Sequence, residues 1–327
     1  MTLTLRFALA VCLAFFLACN APSPSSNRVQ LILDWKAQME HAGFFVARQK
    51  GFYRAEGLEV EILEGSGAPT AARVVGNGTY KLGVASGSAT VMARAKGIPV
   101  VSLAVINQHT PVVVYSLKDR NLQTPEDLVG KRIGVNVGGT KHREFQAFLK
   151  KQGLSEDSIQ LMGMSEASPA PLLAGQVDAM LGYTEDQPVT VELRGVAVNR
   201  ISLADYGIDV YSTNIIANEP YLKQNPEQVR RFVRASLKGW RHAVEHPEEA
   251  VAAYMAERPE SDIAFNRANF KALIPILHSL DVEKTGFGVQ TAQRWAHTQD
   301  VLFTLGMIDR KLDLNQIFTN DFLPPPP

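Results

Sequence analysis

Apolar runs that alternate with helix-periodic stretches constrain this chain more than any other feature. Val29 to Leu33 is apolar with β-branched residues and reads as a buried strand. His41 to Lys50 reads as a helix: Ala42, Phe45, Val46 and Gln49 fall at helical spacing and Gly51 closes it. LEVEILEG then reads as a strand, APTAARVVGNG as the start of a helix, KLGVASG as a strand, SATVMARAKG as a helix and VVSLAVI as a strand. Strand–helix–strand order implies a largely parallel sheet.

A second α/β unit begins near Thr124, which stands at an N-cap position before Pro125, with Asp127 at the third helical position. RIGVNV, SIQLMGM, VDAMLGY and VAVNRISL read as its strands, with KHREFQAFLKKQG and SPAPLLAGQ as helices between them. From Pro220 to Leu305 the pattern is almost wholly helical. VVVYS and VYSTNII read as strands crossing between two lobes. The lobes are expected to span 28–115 with 212–327, and 116–211. Lobes joined in this way close on a hinge over a ligand.

Three features narrow the function class. The 327 residues carry no net charge, so the basic face that a nucleic-acid partner needs is not expected. Residues 1–18 read as a secretory signal: Arg6, then an apolar run from Phe7 to Ala18 that is short for a bilayer span. Phe16-Leu17-Ala18-Cys19 resembles a bacterial lipoprotein box, which implies cleavage before Cys19 and lipid on that residue, followed by a Pro/Ser tether to Asn27. Cys12 would leave with the signal, so the mature chain would have no disulfide.

Candidate site residues cluster where strands end and helices begin, the edge at which α/β sheets bind ligands. Trp35 can stack on a flat ring, and Asp34 can accept from a ligand N–H. His41 can donate or accept near neutral pH. Ser86-Gly87-Ser88 and Gly138-Gly139-Thr140 each open a helix, one per lobe. Their backbone N–H groups are expected to reach a ligand only when the lobes close. Tyr183 and Glu185 follow VDAMLGY. Tyr211 either meets the ligand or packs the hinge, and Arg143 either neutralises an anion or faces water. No nucleophile with an adjacent base, Walker loop or HExxH is present, so no catalytic residue, cofactor or metal is expected.

Asp34-Trp35, His41-Ala42-Gly43, Gly51-Phe52-Tyr53, LGVASGSATVMARAKGIPVV, GKRIGVNVGGT and LLAGQVDAMLGYTED resemble the thiamine-pyrimidine-precursor and riboflavin binding proteins of bacterial ABC importers. The resemblance extends to the fungal thiamine-pyrimidine synthase and, more distantly, to nitrate and sulfonate binding proteins. It implies an α/β, two-lobed periplasmic-binding-protein type II fold with two crossing strands as hinge. The implied protein is a monomeric, extracytoplasmic, lipid-anchored binding protein. It would capture a small heteroaromatic nutrient and serve a membrane permease and its ATPase.

The pyrimidine-binding members carry Pro-Asn after the Trp-x pair and Asn before the His. Here those places hold Ala37, Gln38 and Glu40. Gln38 keeps an amide for the ligand. Glu40, if it points inward, suits a ligand with donors or positive charge. The synthase carries a cysteine-rich stretch, and this chain has no cysteine after Cys19. Riboflavin, then nitrate or sulfonate, are the alternative ligands.

Overall fold

The computed structural model describes residues 27–164 and 168–325. The signal segment, Cys19 and all but the last residue of the tether lie outside the described residues. Ten strands form two five-stranded sheets. The first holds β1 (Arg28–Ile32), β2 (Glu59–Leu63), β3 (Leu82–Ser86), β4 (Val100–Val105) and β10 (Thr213–Asn218), in the order β2-β1-β3-β10-β4. The second holds β5 (Val112–Leu117), β6 (Arg132–Val135), β7 (Gln160–Gly163), β8 (Ala179–Tyr183) and β9 (Val198–Ser202), in the order β7-β6-β8-β5-β9. Pairing of β1 with β2 and β3, and of β6 with β7 and β8, is parallel, as strand–helix alternation requires. The chain is thus α/β and two-lobed, as expected.

The strands expected to cross do not themselves cross. β5 pairs antiparallel with β8 and β9 inside the second sheet, and β10 pairs antiparallel with β3 and β4 inside the first. The expected boundary between Tyr115 and Ser116 therefore falls within β5. Irregular segments 106–111 and 203–212 make the passage. They lie side by side: Ile106 and Asn107 N–H donate to the Thr213 carbonyl, and Ser212 N–H to that of Asn107. These backbone groups are satisfied without either segment being fixed in a sheet, which leaves freedom to bend.

Helices cover both sheets. α1 (Ala42–Gln49), α6 (Pro226–Glu245), α7 (Pro247–Glu257) and α8 (Ile263–Leu277) share the largest apolar core, under one face of the first sheet. α2 (Ala68–Gly76) packs on the other face, and α3 (Gly87–Ala95) follows β3. In the second lobe, α4 (Thr140–Lys151) buries Phe145 and Phe148 against the sheet, and α5 (Gln187–Glu192) follows β8. α9 (Ala292–Thr304) touches both lobes. Its Trp295 packs against Tyr211 of the second passage, while its Val301 joins the core of the second lobe. The edge of β4 is covered by the C-terminal segment, where Ser102 N–H donates to Ile317 O and Thr319 N–H to Ser102 O.

α1 and α6 cross at near contact. A Cβ added at Gly239 would lie 2.3 Å from the Gly43 carbonyl oxygen and 2.6 Å from the Ala47 Cβ. Only glycine permits that approach, and it brings the start of α1, with His41, hard against the core.

Candidate functional site

Groups from the C-terminal ends of the parallel strands meet between the lobes. β1 delivers Asp34 to His41, and β8 delivers Tyr183 to Asp186. The start of α4, after β6, adds Lys141 and Glu144. Glu40 of the first lobe feels the charges of Asp186 and Lys141 of the second, so the two sets face one another at short range. Asn269 of α8 closes one side by donating from Nδ2 to the Glu185 carbonyl at 2.7 Å.

The turn after β1 is held from behind. Gly65 N–H donates to Trp35 O at 3.0 Å and Gly67 N–H to Asp34 O at 2.7 Å. Glu64 accepts from Ala37 N–H at 3.0 Å and is bound in turn by Arg258, while the Tyr254 hydroxyl donates to Ala37 O at 3.0 Å. These ties order the backbone and leave the Trp35 side chain out of the core, 49% exposed. Its indole is therefore available for stacking.

His41 is fully buried. Its Nδ1 accepts from Gln38 N–H at 3.3 Å, which assigns the ring proton to Nε2, and Nε2–H donates to Asp34 Oδ1 at 2.8 Å. The Glu40 carboxyl lies 3.8 Å from the same nitrogen. Asp34, Glu40 and His41 each bring one ligand atom within 4.8 Å of the others, close enough for a divalent cation. The nitrogen a metal would need carries the ring proton, and the other nitrogen is turned to backbone. The set fits a hydrogen-bonded cluster better than a metal centre. The Gln38 side chain is exposed.

In the second lobe, Lys141 Nζ sits 4.3 Å from the centroid of the half-buried Tyr183 ring. Glu144 is buried and accepts from the Thr110 hydroxyl at 2.7 Å. Glu185 is 4% exposed, and its Oε2 has no hydrogen-bond partner. Asp186 accepts from the Gln187 amide at 2.5 Å.

Burial raises Glu40, Glu144, Glu185 and Asp186, because removing water disfavours the charged form. It pushes Glu40 to about 7, with the charges of Asp34 and Asp186 adding and those of His41 and Lys141 opposing. Burial pushes Glu144 to about 7 against the Thr110 bond, and Glu185 to about 8 with help from Glu40 and Asp186. Burial raises Asp186 as well, with the charge of Lys141 and the Gln187 hydrogen bond opposing. Burial lowers Lys141 and raises Tyr183 well above the ordinary phenol. Among the described residues this site carries more acid than base, with Glu144 and Glu185 buried and Glu40, Lys141 and Asp186 partly exposed.

Several expected roles are not met. The glycine N–H groups at the two helix starts are not bare. Gly87 N–H donates to Tyr211 O and Ser212 O at 3.2 and 2.9 Å, Gly138 N–H to His142 Nδ1 at 3.0 Å, and Gly139 N–H to Asn136 O at 3.2 Å. Ser86 caps its own helix by accepting from Ala89 N–H, Ser88 is buried at that helix start, and Thr140 is half-buried at the start of α4. The two loops thus spend those donors on the protein. Tyr211 packs the hinge: it is fully buried, meets Trp295 edge-on at 5.2 Å, and its hydroxyl accepts from Thr291 N–H. Arg143 is exposed, its Nε donating to Gly138 O.

Lys141, Glu144 and Asp186 were not among the sequence candidates. A signal was present. Lys141, Glu144, Phe145 and Phe148 recur at i, i+3, i+4 and i+7, so the charged pair shares the apolar face of α4.

The chain is 28% identical to the riboflavin-binding protein RibY of Chloroflexus aurantiacus, over 94% of each. It is 25% identical to a formylaminopyrimidine-binding protein of Halalkalibacterium halodurans, over 88% of this chain and 89% of that one. It is 30% identical to a 4-amino-5-hydroxymethyl-2-methylpyrimidine phosphate synthase of Legionella pneumophila, over 94% of this chain and 96% of that one. Relatives thus include both binding proteins and a protein named as an enzyme. The periplasmic aliphatic sulphonate binding protein SsuA of Escherichia coli superposes with a TM-score of 0.70 at 17% identity, covering 89% of this chain and 92% of that one, which shows a shared periplasmic-binding-protein fold. The model of the family described as NMT1/THI5 like matches residues 38–250, and the chain belongs to that family.

Proposed function

We propose that the chain is the extracytoplasmic solute-binding lipoprotein of an ABC importer. It captures a small heteroaromatic nutrient between its lobes, a thiamine pyrimidine precursor or a close relative, and presents the closed form to a permease and its ATPase. The observation that carries this reading is Trp35, a half-exposed indole on a pinned turn, beside a cleft lined by carboxyls. A flat ring stacks on the indole for about 0.5–1.5 kcal/mol beyond area burial, and its N–H groups meet the acids. Closure follows because those acids come from both lobes, and a ligand shifts only the equilibrium between states it binds differently. The protein works as a monomer tethered through lipid on Cys19, without catalytic residue or cofactor.

Riboflavin is the second reading, favoured by the RibY relative. Nitrate and sulfonate fit poorly: Glu40, Glu185 and Asp186 outnumber Lys141 among the described residues there. The synthase reading is disfavoured by the export signal and by the absence of cysteine after Cys19.

A thermal-shift screen of aminopyrimidines, flavins, nitrate and alkylsulfonates tests the proposal. A saturating ring compound should raise the melting temperature by several degrees. A response confined to the anions would contradict it. Mass spectrometry of the exported protein should find a mature terminus at Cys19 carrying acyl chains. An unprocessed Met1 would count against the importer reading.

A further inference from the structure

Among the described residues at the cleft, the unsatisfied buried atoms have one chemistry. Glu185 Oε2 has no donor, and neither does Asn269 Oδ1, whose amide orientation is set by the Nδ2 bond to the Glu185 carbonyl. Both residues are more than nine-tenths buried. Two buried acceptors, next to Glu40, Asp186 and Lys141, lack donors. The local charge points the same way. Asp34 is engaged by His41, Lys141 is held over Tyr183, and Glu40, Glu185 and Asp186 confront one another from opposite lobes.

We infer that the cleft takes its ligand as an organic cation, with Glu40 of one lobe and Glu185 of the other holding the N–H groups of a flat, protonated head while Trp35 stacks on its face. This rests on the capture reading above and adds a charge to the ligand. Glu40 of one lobe and Asp186 of the other set like charge near Glu185, and burial pushes both glutamates up, Glu40 to about 7 and Glu185 to about 8. A cation relieves this by pairing with both, and it bridges the lobes only when they are shut. The groups facing Glu40 are Asp34 and His41 from its own lobe and Asp186 and Lys141 from the other. Glu185 faces Glu40, Asp186 and Lys141.

The test is calorimetric titration at pH 7.5 with 4-aminopyridine, a flat cation at that pH, and 4-pyridone, its neutral counterpart of the same shape. 4-Aminopyridine should bind at least tenfold more tightly. Glu40→Gln should cut its affinity at least tenfold and narrow the gap between the probes, while the far-UV spectrum and melting temperature remain those of a folded protein. Glu185→Gln should act in the same direction. Equal binding of the two probes overturns the inference. So does binding of riboflavin, unaffected by Glu40→Gln, with no binding of 4-aminopyridine; in both cases capture of a heteroaromatic ring stands. Failure of both probes, a neutral aminopyrimidine and riboflavin to bind sinks the capture reading with it.

Discussion

At pH 8 the Glu144→Gln protein is expected to melt several degrees above the unsubstituted chain, and the advantage should shrink steadily as the pH is lowered to 5. Glu144 lies next to the first passage, where it accepts from the Thr110 hydroxyl, and its charge reaches Tyr183. Its carboxyl is raised from 4.5 to about 7, chiefly by burial. A carboxyl raised on folding binds more protons in the folded than in the unfolded state throughout that window. Stability therefore falls as pH climbs from the unfolded value to the folded one, and levels off above it. The ceiling is on the order of 3 kcal/mol at about 1.4 kcal/mol per unit. Glutamine accepts the same Thr110 hydrogen bond through its carbonyl and carries no charge, so it removes most of that burden. The sign distinguishes Glu144 from surface acids such as Glu249 and Asp178, which basic partners hold at about 2 and which lose stability only in strong acid. Melting curves of both proteins at pH 5 and pH 8 decide the matter. A substituted protein that melts lower at pH 8 would mean that Glu144 is ionised and paired in the fold.

Gly239→Ala is expected to cost about 1–3 kcal/mol, the range for overpacking a core, and to weaken ligand capture with it. The added methyl would overlap the Gly43 carbonyl, which cannot rotate away as a side chain does. Relief requires α1 and α6 to separate. α1 begins at Ala42, directly after His41, and Trp240 and Phe44 pack edge-on across the same contact at 5.7 Å. Separation would therefore loosen the core and displace the Asp34–His41 hydrogen bond. A chemical denaturation midpoint clearly below that of the parent, with an unchanged slope, is the expected result. An unchanged midpoint would mean that the helices have room that the geometry denies them.

Parts of this fold were legible in the sequence because they rest on local chemistry. Leu31 and Leu82 lie in apolar runs between polar turns, so β1 and β3 announce themselves, and Gly51, with a φ of +73°, ends the first helix as its position suggests. β5 was misplaced for the opposite reason. Val112 to Leu117 reads as a strand, but which sheet receives it depends on β8 and β9, more than sixty residues away. The cleft divided in the same manner. Trp35, His41 and Glu185 stand at strand ends, which pattern alone can locate. Whether the N–H groups of Gly87 and Gly138 are spent was settled by the Tyr211 carbonyl and the His142 ring, partners invisible to a reading of loop composition. Lys141 and Glu144 share the apolar face of α4, which marks them in the sequence, but their partners Asp186 and Thr110 lie more than thirty residues away.

Tryptophan emission reports on whether Trp35 meets a flat ligand as the cleft closes. The chain has three tryptophans, and Trp240 and Trp295 are fully buried, so a ligand-dependent change reports chiefly on Trp35. Titration with an aminopyrimidine or a flavin should give a saturable change in emission, and Trp35→Ala should abolish most of it and lower the affinity about tenfold. Emission that stays constant while calorimetry records tight binding, or affinity that Trp35→Ala leaves untouched, would contradict the account.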